Sequence, residues 1–581
     1  MNYLNPIYTE KTQCQDCYKC IRECPVKAIQ VENGHATIIP ELCVLCGHCV
    51  TICPAGAKKV RDDLSRAKQL LKLKSKVILS IAPSFASEFP GISSEVLVSA
   101  AKQLGFFGVS ETAIGADLVS AQLAEDFTGS KLQKLYISSA CPSAVEYIKH
   151  YLSEYTPYIT DRASPLLAHT RLLKNLYGKD LGIVFVGPCI AKKREADIWS
   201  LPDCAIGFAD FKRWLESAGI KLEAVRNAMG SSKKDKKTEP FIPYRAGKGS
   251  LYPVDGGMIA SVKKYAKLDK FDTIAVAGIS EIDKALRGLD LDALETPLFM
   301  ELLACPGGCI NGPLTSAGEA KALKRIRLLD YARSTKDTLD EKRPNMEGTI
   351  PVSPAKQKMH SEEEITLALR QVGKTEPKDE LNCGSCGYDT CRAFCAAMLD
   401  HRAEKTMCVS YMRTLAQRKA NGLMQTIPSG VVICDSSLKI IECNENFARM
   451  MGSDILSMYE AKPGMEGAAI EKISSISAIF QDVLAPNGPD IVEHEHREKR
   501  KVFQVSVFTI EKGEIACGVL QDVTAPQIRR DRVVKQAKKV IEKNLAVVQK
   551  IAFLLGENAA ETEVTLNSII ESFSADEGDA E

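Results

Sequence analysis

Sixteen of the 21 cysteines stand at spacings suited to holding metal. Cys14, Cys17, Cys20 and Cys24 precede Pro25, and Cys43, Cys46, Cys49 and Cys53 precede Pro54. In this C-x2-C-x2-C-x3-C-P pattern, short spacers wrap three thiolates around one face of a [4Fe–4S] cube. The fourth thiolate serves the other cube, and the proline ends the loop. Zinc ribbons, the alternative, use paired C-x2-C units rather than runs of four. Farther on, Cys141 follows Ser138-Ser139-Ala140 and Cys189 follows Val186-Gly187-Pro188. Cys305 and Cys309 bracket Pro306-Gly307-Gly308, whose glycines let backbone approach a bulky cofactor. Singly, such cysteines are more often small buried hydrophobes. In company they predict four thiolates converging on one cluster. Cys383, Cys386, Cys391 and Cys408 form a last group, with Cys395 the rival fourth ligand and zinc the alternative metal.

These residues need several domains to position them. At ~100–200 residues per domain, 581 residues predict roughly three to five. The first module spans 1–62. From 75 to 335, short apolar strands alternate with helical stretches. Strands are expected at Lys76–Ile81, Leu135–Ser138, Leu181–Val186 and Asp272–Val276, with helices at Val96–Leu104 and Ala209–Ala218. Such alternation builds α/β layers on a largely parallel sheet, whose ligands bind beyond the strands' carboxyl ends. Cys141 and Cys189 stand there. Residues 336–378, polar and proline-bearing, read as a linker before the 379–418 cysteine domain. A net charge of +1 gives no electrostatic case for nucleic acid or a membrane surface, and the basic run Ser231–Lys237 reads as a solvated loop. No stretch approaches the ~20 apolar residues of a membrane span, and Met1–Glu10 lacks a signal-peptide pattern. A cytoplasmic location is therefore expected, where disulfides are rare and so many cysteines need another use.

The first module's spacing is that of two-cluster bacterial ferredoxins. The central domain resembles the catalytic domain of [FeFe] hydrogenases. Ser138-Ser139-Ala140-Cys141-Pro142, Pro188-Cys189-Ile190-Ala191-Lys192-Lys193-Arg194-Glu195 and Glu301–Gly312 are similar, in order, to that family's three signature loops, and Ala82-Pro83-Ser84 to its first cofactor-contacting loop. The resemblance implies an H-cluster. Cys141, Cys189, Cys305 and Cys309 would hold a [4Fe–4S] cube, and Cys309 would bridge to a two-iron unit carrying CO and cyanide. It also implies that Lys192 donates to a cyanide nitrogen, with Ser84 a further donor, Pro83 and Pro188 beside the cofactor, and Glu195 supporting the loop. A charge-assisted donor suits an anionic ligand in a dry pocket. Apart from the resemblance, Lys192 reads as a surface lysine beside Lys193. The 379–418 group is similar to a small four-cysteine [4Fe–4S] domain, whose pattern favours Cys408 over Cys395.

The departures bear on activity. Ordinary catalytic members carry a proton-transferring cysteine where Ala140 stands, and methionines where Gly187 and Leu303 stand. Their tryptophan is missing from Pro142-Ser143-Ala144-Val145. A positioned proton-transfer group contributes roughly 10²–10⁴-fold in rate, so slow turnover is expected.

Residues 421–526 resemble a PAS domain. Gly430–Asp435 and Lys439–Asn444 read as a hairpin, Phe447–Gly452 as a helix, Val502–Phe508 and Ile515–Leu520 as later strands, with an Asp522-Val523-Thr524 exit. His494 and His496 read as exposed polar residues rather than haem ligands. Within 527–574, Val533, Ala537, Val540, Asn544, Val547, Ile551 and Leu554 make the four-three seam of a coiled coil, implying a homodimer, and packing on the chain's own PAS domain is the alternative. An acidic tail from Ala575 reads as disordered.

The predicted fold class is multidomain α+β and α/β: a ferredoxin-like 2[4Fe–4S] module, a two-lobed α/β hydrogenase-like domain, a small helical [4Fe–4S] domain, a PAS domain and a coiled-coil-like helix. The leading functional expectation is a hydrogen or redox sensor for an anaerobic setting. Slow, reversible H2 oxidation at the H-cluster would pass electrons through the accessory clusters to the PAS output. The alternatives are a competent ferredoxin-linked [FeFe] hydrogenase, or an iron–sulfur redox or assembly protein lacking the two-iron unit. Expected partners are H2 and protons, a ferredoxin-type carrier, hydrogenase maturation proteins and a signalling protein. No kinase, cyclase or DNA-binding pattern follows the PAS region.

Overall fold

A computed structural model describes residues 5–32, 34–129, 133–230, 241–316, 318–335, 344–355, 358–498, 501–524, 539–540 and 543. The chain divides into two compact units, Met1–Met407 and Cys408–Glu581.

The N-terminal module has four strands: β1 (Ile7–Thr9), β2 (Ile29–Glu32), β3 (His35–Ile38) and β4 (Lys58–Val60). β1 pairs antiparallel with β4, and β2 with β3. Each cysteine run wraps a short helix, Lys19–Arg22 or His48–Ile52, entered through left-handed backbone at Tyr18 or Gly47. Buried Lys58 joins the two strand pairs, donating to Thr9 Oγ1 at 2.7 Å and to the Ala36 carbonyl at 2.6 Å.

The central domain holds two parallel sheets, matching the expected lobes. β5 (Val77–Ile81), β6 (Gly108–Glu111), β8 (Gly182–Gly187) and β9 (Cys204–Gly207) form one sheet in the order β6-β5-β8-β9. β7 (Leu135–Ile137), β10 (Asp272–Ala277) and β11 (Leu298–Leu303) form the other, in the order β10-β11-β7. Every residue of β5, β8 and β11 is buried, as apolar strands covered on both faces must be. The expected helices run Ser94–Gln103 and Phe208–Ser217. Buried His169 links β5 and β6 between the Ser80 and Ser110 hydroxyls, at 3.0 and 2.7 Å.

The stretch read as a linker carries structure of its own. Lys149 Nζ donates to Thr349 Oγ1 and to the Ile350 carbonyl, each at 2.8 Å, fixing 344–355 to the central domain. Helix Glu362–Gln371 then starts at a Ser361/Glu364 capping box, buries Ala368 and Leu369, and packs on helix Cys391–Leu399. Its polar exposed face hid this apolar stripe from a composition-based reading.

In the second unit, helix Val409–Thr426 precedes β12 (Gly430–Asp435), β13 (Ile440–Cys443), β14 (Ile491–Glu498), β15 (Lys501–Glu511) and β16 (Ile515–Asp522). They form one antiparallel sheet in the order β13-β12-β16-β15-β14. Asn444 fixes the turn after β13: its Oδ1 accepts from the Val431 and Phe447 amides, and its Nδ2 donates to the Ser429 carbonyl. The Phe480 ring packs against Gly518, where a Cβ would lie 2.6 Å from its Cζ. His494 is exposed on β14, whereas His496 is half-buried with Nε2 2.9 Å from Ser475 Oγ. The basic run Ser231–Lys237, most of the heptad seam and the acidic tail lie outside the described residues.

Candidate functional site

Four strand ends in the central domain supply the candidate site. After β5, Ala82 stays tied to β8 through its amide and the Val186 carbonyl at 2.8 Å, and Pro83 and Ser84 turn the chain into a short helix. Ser84 is buried, and its hydroxyl has no hydrogen-bond partner among the described residues. After β7, Ser139 Oγ donates to the Arg162 carbonyl at 2.7 Å, and Cys141 opens helix Pro142–Tyr151 with proline at its first position. After β8 come Pro188, Cys189 and helix Ala191–Trp199. After β11 comes the Cys305–Cys309 loop. There Gly308, at φ +93°, lies so close to Pro253 that a Cβ would stand 2.1 Å from the Pro253 carbonyl oxygen.

These ends bring Cys141, Cys189, Cys305 and Cys309 to one cavity, which Pro188 and Cys46 also line. The Ala304 amide lies 3.5 Å from Cys141 Sγ. Burial pushes all four thiols up, Cys189 to about 11, while Lys192 acts in the opposite direction on Cys141, Cys189 and Cys309. Four mutually close thiols that resist ionisation in isolation are what a coordinating metal cluster, itself the dominant local charge, would deprotonate. None of the 21 cysteines is in a disulfide.

Lys192 is not the surface lysine that its local sequence suggests. It is 8 % exposed, and its Nζ donates to Ser164 Oγ at 2.8 Å and to Glu195 Oε2 at 2.5 Å. Glu195 is buried at 1 % exposure. At Gly187, the Phe185 ring takes the space a longer residue would need: a Cβ there would meet its Cζ at 2.4 Å. Leu303 and Ala304 are buried, and Ala140 offers only a methyl group beside Cys141.

Two carboxyls absent from the sequence-based site stand close by. Glu146 bonds Arg194 at 3.0 Å, and Arg194 also donates to the Cys43 carbonyl at 3.1 Å. Glu301 Oε2 accepts from the Ile259 amide at 3.0 Å. Each keeps one oxygen, Glu146 Oε1 and Glu301 Oε1, without a hydrogen-bond partner among the described residues, and burial pushes both carboxyls up to about 7. Glu301 was visible as the first residue of the third loop. Glu146 had no signal beyond a lone acid in an apolar helical stretch.

The cysteine runs of the first module interleave as their spacing predicts. Cys20 has Cys17, Cys14 and Cys53 as charged neighbours, and Cys49 has Cys43, Cys46 and Cys24. The second set is the inner one, since Cys46 reaches the central cavity. In the third group, Cys383 is exposed, Cys386 half-buried and Cys391 buried at the start of its helix. Cys395 lies one turn later, fully buried, whereas Cys408 opens the second unit as the cap of helix Val409–Thr426. Cys204, Cys434, Cys443 and Cys517 are buried in apolar surroundings that raise their thiols to about 12. Among the described residues no helix is long and apolar enough to cross a membrane.

Residues 75–313 match the iron only hydrogenase large subunit, C-terminal domain. Residues 6–63 match the 4Fe-4S dicluster domain, 379–410 the putative Fe-S cluster family and 418–485 a PAS domain. The chain is 26% identical over 361 residues to the NADP-reducing hydrogenase subunit HndD of Solidesulfovibrio fructosivorans, covering 52% of this chain and 61% of that one. The match thus spans about three-fifths of that relative's length. It is 24% identical over 336 residues to the cytosolic Fe-S cluster assembly factor narfl of Danio rerio, covering 46% of this chain and 79% of that protein. A solved variant of the [FeFe]-hydrogenase HydA1 from Chlamydomonas reinhardtii aligns with a TM-score of 0.35 and 18% identity, over 48% of this chain and 91% of that one. The central domain is an iron-only hydrogenase large-subunit domain. The chain joins it to a 4Fe–4S dicluster domain, a further Fe–S segment and a PAS domain.

Proposed function

We propose that the protein senses hydrogen, or the redox state that hydrogen sets, by slow and reversible conversion of H2 to two protons and two electrons. The observation that carries this reading is Ala140, a methyl group beside Cys141 at the place where the resemblance expects a proton-transferring thiol. The residues present fit an H-cluster. Four thiols share one cavity, Ser84 holds a buried hydroxyl with no partner among the described residues, and Lys192 is a buried cation beside the thiols. When bound, the two-iron unit would supply the open iron position and the amine at which H2 is split.

The chain's own residues do the rest. Cys141, Cys189, Cys305 and Cys309 anchor the cube. Lys192, held by Glu195 and Ser164, presents a fixed positive donor. The apolar wall of Leu45, Pro188, Ile190, Ala304 and Pro313 excludes water. With Ala140 in place of a relay, protons cross slowly, which suits a reporter more than a bulk catalyst. Electrons leave through the Cys46 side toward the clusters of the first module.

The test is H2 oxidation and evolution by protein matured anaerobically, beside Ala140→Cys. Slow native turnover that rises by roughly 10²-fold or more in the variant supports a throttled site. Fast native turnover would make this an ordinary ferredoxin-linked catalyst. A second reading, an iron–sulfur redox or assembly protein without the two-iron unit, draws on the similarity to the assembly factor and on the Phe185 ring filling the space at Gly187. Infrared bands of CO and cyanide in matured protein would exclude it.

A further inference from the structure

The 379–407 segment packs on the N-terminal module at a particular place. Gly387, at φ +87°, meets the backbone of Arg22 so closely that a Cβ would stand 2.4 Å from Arg22 Cα and 2.8 Å from its carbonyl oxygen. The Tyr18 hydroxyl donates to Glu404 at 2.7 Å. Lys27 Nζ donates to the Arg22 carbonyl at 2.7 Å and stands 5.4 Å from the centre of the Tyr388 ring. Arg22 and Lys27 flank Cys24, the run-ending cysteine that neighbours Cys43, Cys46 and Cys49. Tyr388 lies two residues beyond Cys386, is 7 % exposed, and has both Cys386 and Cys24 among its charged neighbours. Arg22, Cys24, Lys27, Gly387 and Tyr388 line one cleft.

We propose that the inner cluster, the one Cys24 ligates, is the branch point of the electron relay, and that Lys27 is the positioning residue of its second arm. One arm runs past Cys46 to the central cavity, and the other runs past Lys27 and Tyr388 to the cluster of the 383–391 cysteines. The outer cluster is then a side branch for external carriers. In each hop one cluster loses one electron and the next gains it, and no bond forms or breaks. The reductant is H2 at the central site or a low-potential carrier at the outer cluster. A fixed ammonium between two clusters stabilises the added electron on either one, holding both within easy exchange. The inference rests on the iron–sulfur assignment above and is independent of hydrogen turnover.

The test is a redox titration, followed by electron paramagnetic resonance, of the full chain reconstituted anaerobically with iron and sulfide. Cys17→Ser and Cys386→Ser identify the outer and third signals. Lys27→Gln is expected to shift the inner and third clusters to more negative potential and leave the outer one in place, and Lys27→Arg to restore both. A shift confined to one cluster, a shift of the outer cluster, or no shift overturns the proposal. Gly387→Ala, which forces the two segments apart, is expected to weaken the magnetic broadening between the inner and third signals. Broadening unchanged in that variant also overturns it. Neither readout uses H2, so a failed sensor reading leaves these results standing, and the reverse holds.

Discussion

Lys192 and Lys193 are consecutive, yet they serve two different walls of the central domain. Lys192 faces the cysteine cavity with Ser164 and Glu195. Lys193 faces the junction with the first module, donating at 2.9 Å both to Asp63 Oδ2 and to the Ala205 carbonyl. The junction wall is closed: Asp63 also takes Arg61, and Asp197 takes Arg61 and Arg66. Around the cysteine site, buried Glu146, Glu301 and Ser84 each keep an oxygen without a hydrogen-bond or ion-pair partner among the described residues. A wall whose charged groups are paired belongs to stability, whereas one with buried groups in reserve is built for a guest.

The largest expected effect tests the closed wall. Lys193→Met leaves Asp63 buried beside one fewer cation and should cost the apoprotein about 3–5 kcal/mol, read as a lower denaturant midpoint. On the cavity wall, Lys192→Met combined with Glu195→Gln removes both charges together and should cost no more than about 1 kcal/mol. Equal losses for the two changes would erase the distinction.

Next in size is a pH effect from the cysteine site. Glu301 titrates near 7 in the folded chain against 4.5 as its ordinary value. Between those values the folded state holds a proton that the unfolded state has released. Its contribution is therefore complete below pH 4.5 and is lost as pH rises through about 7. At about 1.4 kcal/mol per pH unit, that amounts to about 3 kcal/mol between roughly pH 4 and pH 8. Glu301→Gln should flatten the stability curve of the apoprotein by this amount. A curve unchanged by the substitution would mean that Glu301 is solvated or paired.

The contrast also shows what a sequence carries. The cysteine runs were legible because a cube demands ligands at fixed short spacing, and the thiols of the central site became legible only as a set of loops. β5, β8 and β12 were visible as apolar runs between breaks. β6 (Gly-Val-Ser-Glu) and β9 (Cys-Ala-Ile-Gly) each hold a single bulky apolar residue, whereas β7 and β13, no longer than they are, each hold at least two, and β14 reads as polar because most of it faces outward. Helix Glu362–Gln371 lay hidden in a stretch that composition marks as linker. The two lysines were illegible in principle. Neighbouring helical residues point about 100° apart, and only the packing of β9 and Asp63 on one side and of Ser164 on the other decides what each one meets.

The smallest effect separates the two duties of Ser164. Its hydroxyl accepts from the Leu167 amide at 3.4 Å, capping helix Pro165–Tyr177, and from Lys192 at 2.8 Å. Ser164→Ala loses both bonds, and a lost cap costs about 1 kcal/mol. Ser164→Asp keeps an acceptor for the amide and adds a charge that draws Lys192 away from the cysteines. If Ser164 is only a cap, Asp should restore the stability that Ala loses and leave a reconstituted central cluster unchanged. If it also sets the lysine, Asp should restore stability and yet shift that cluster's reduction potential, because the cation near Cys141 and Cys309 has moved. The second outcome is expected, since Lys192 divides its proton donors between one neutral and one charged oxygen, and a second carboxylate at position 164 would unbalance that division.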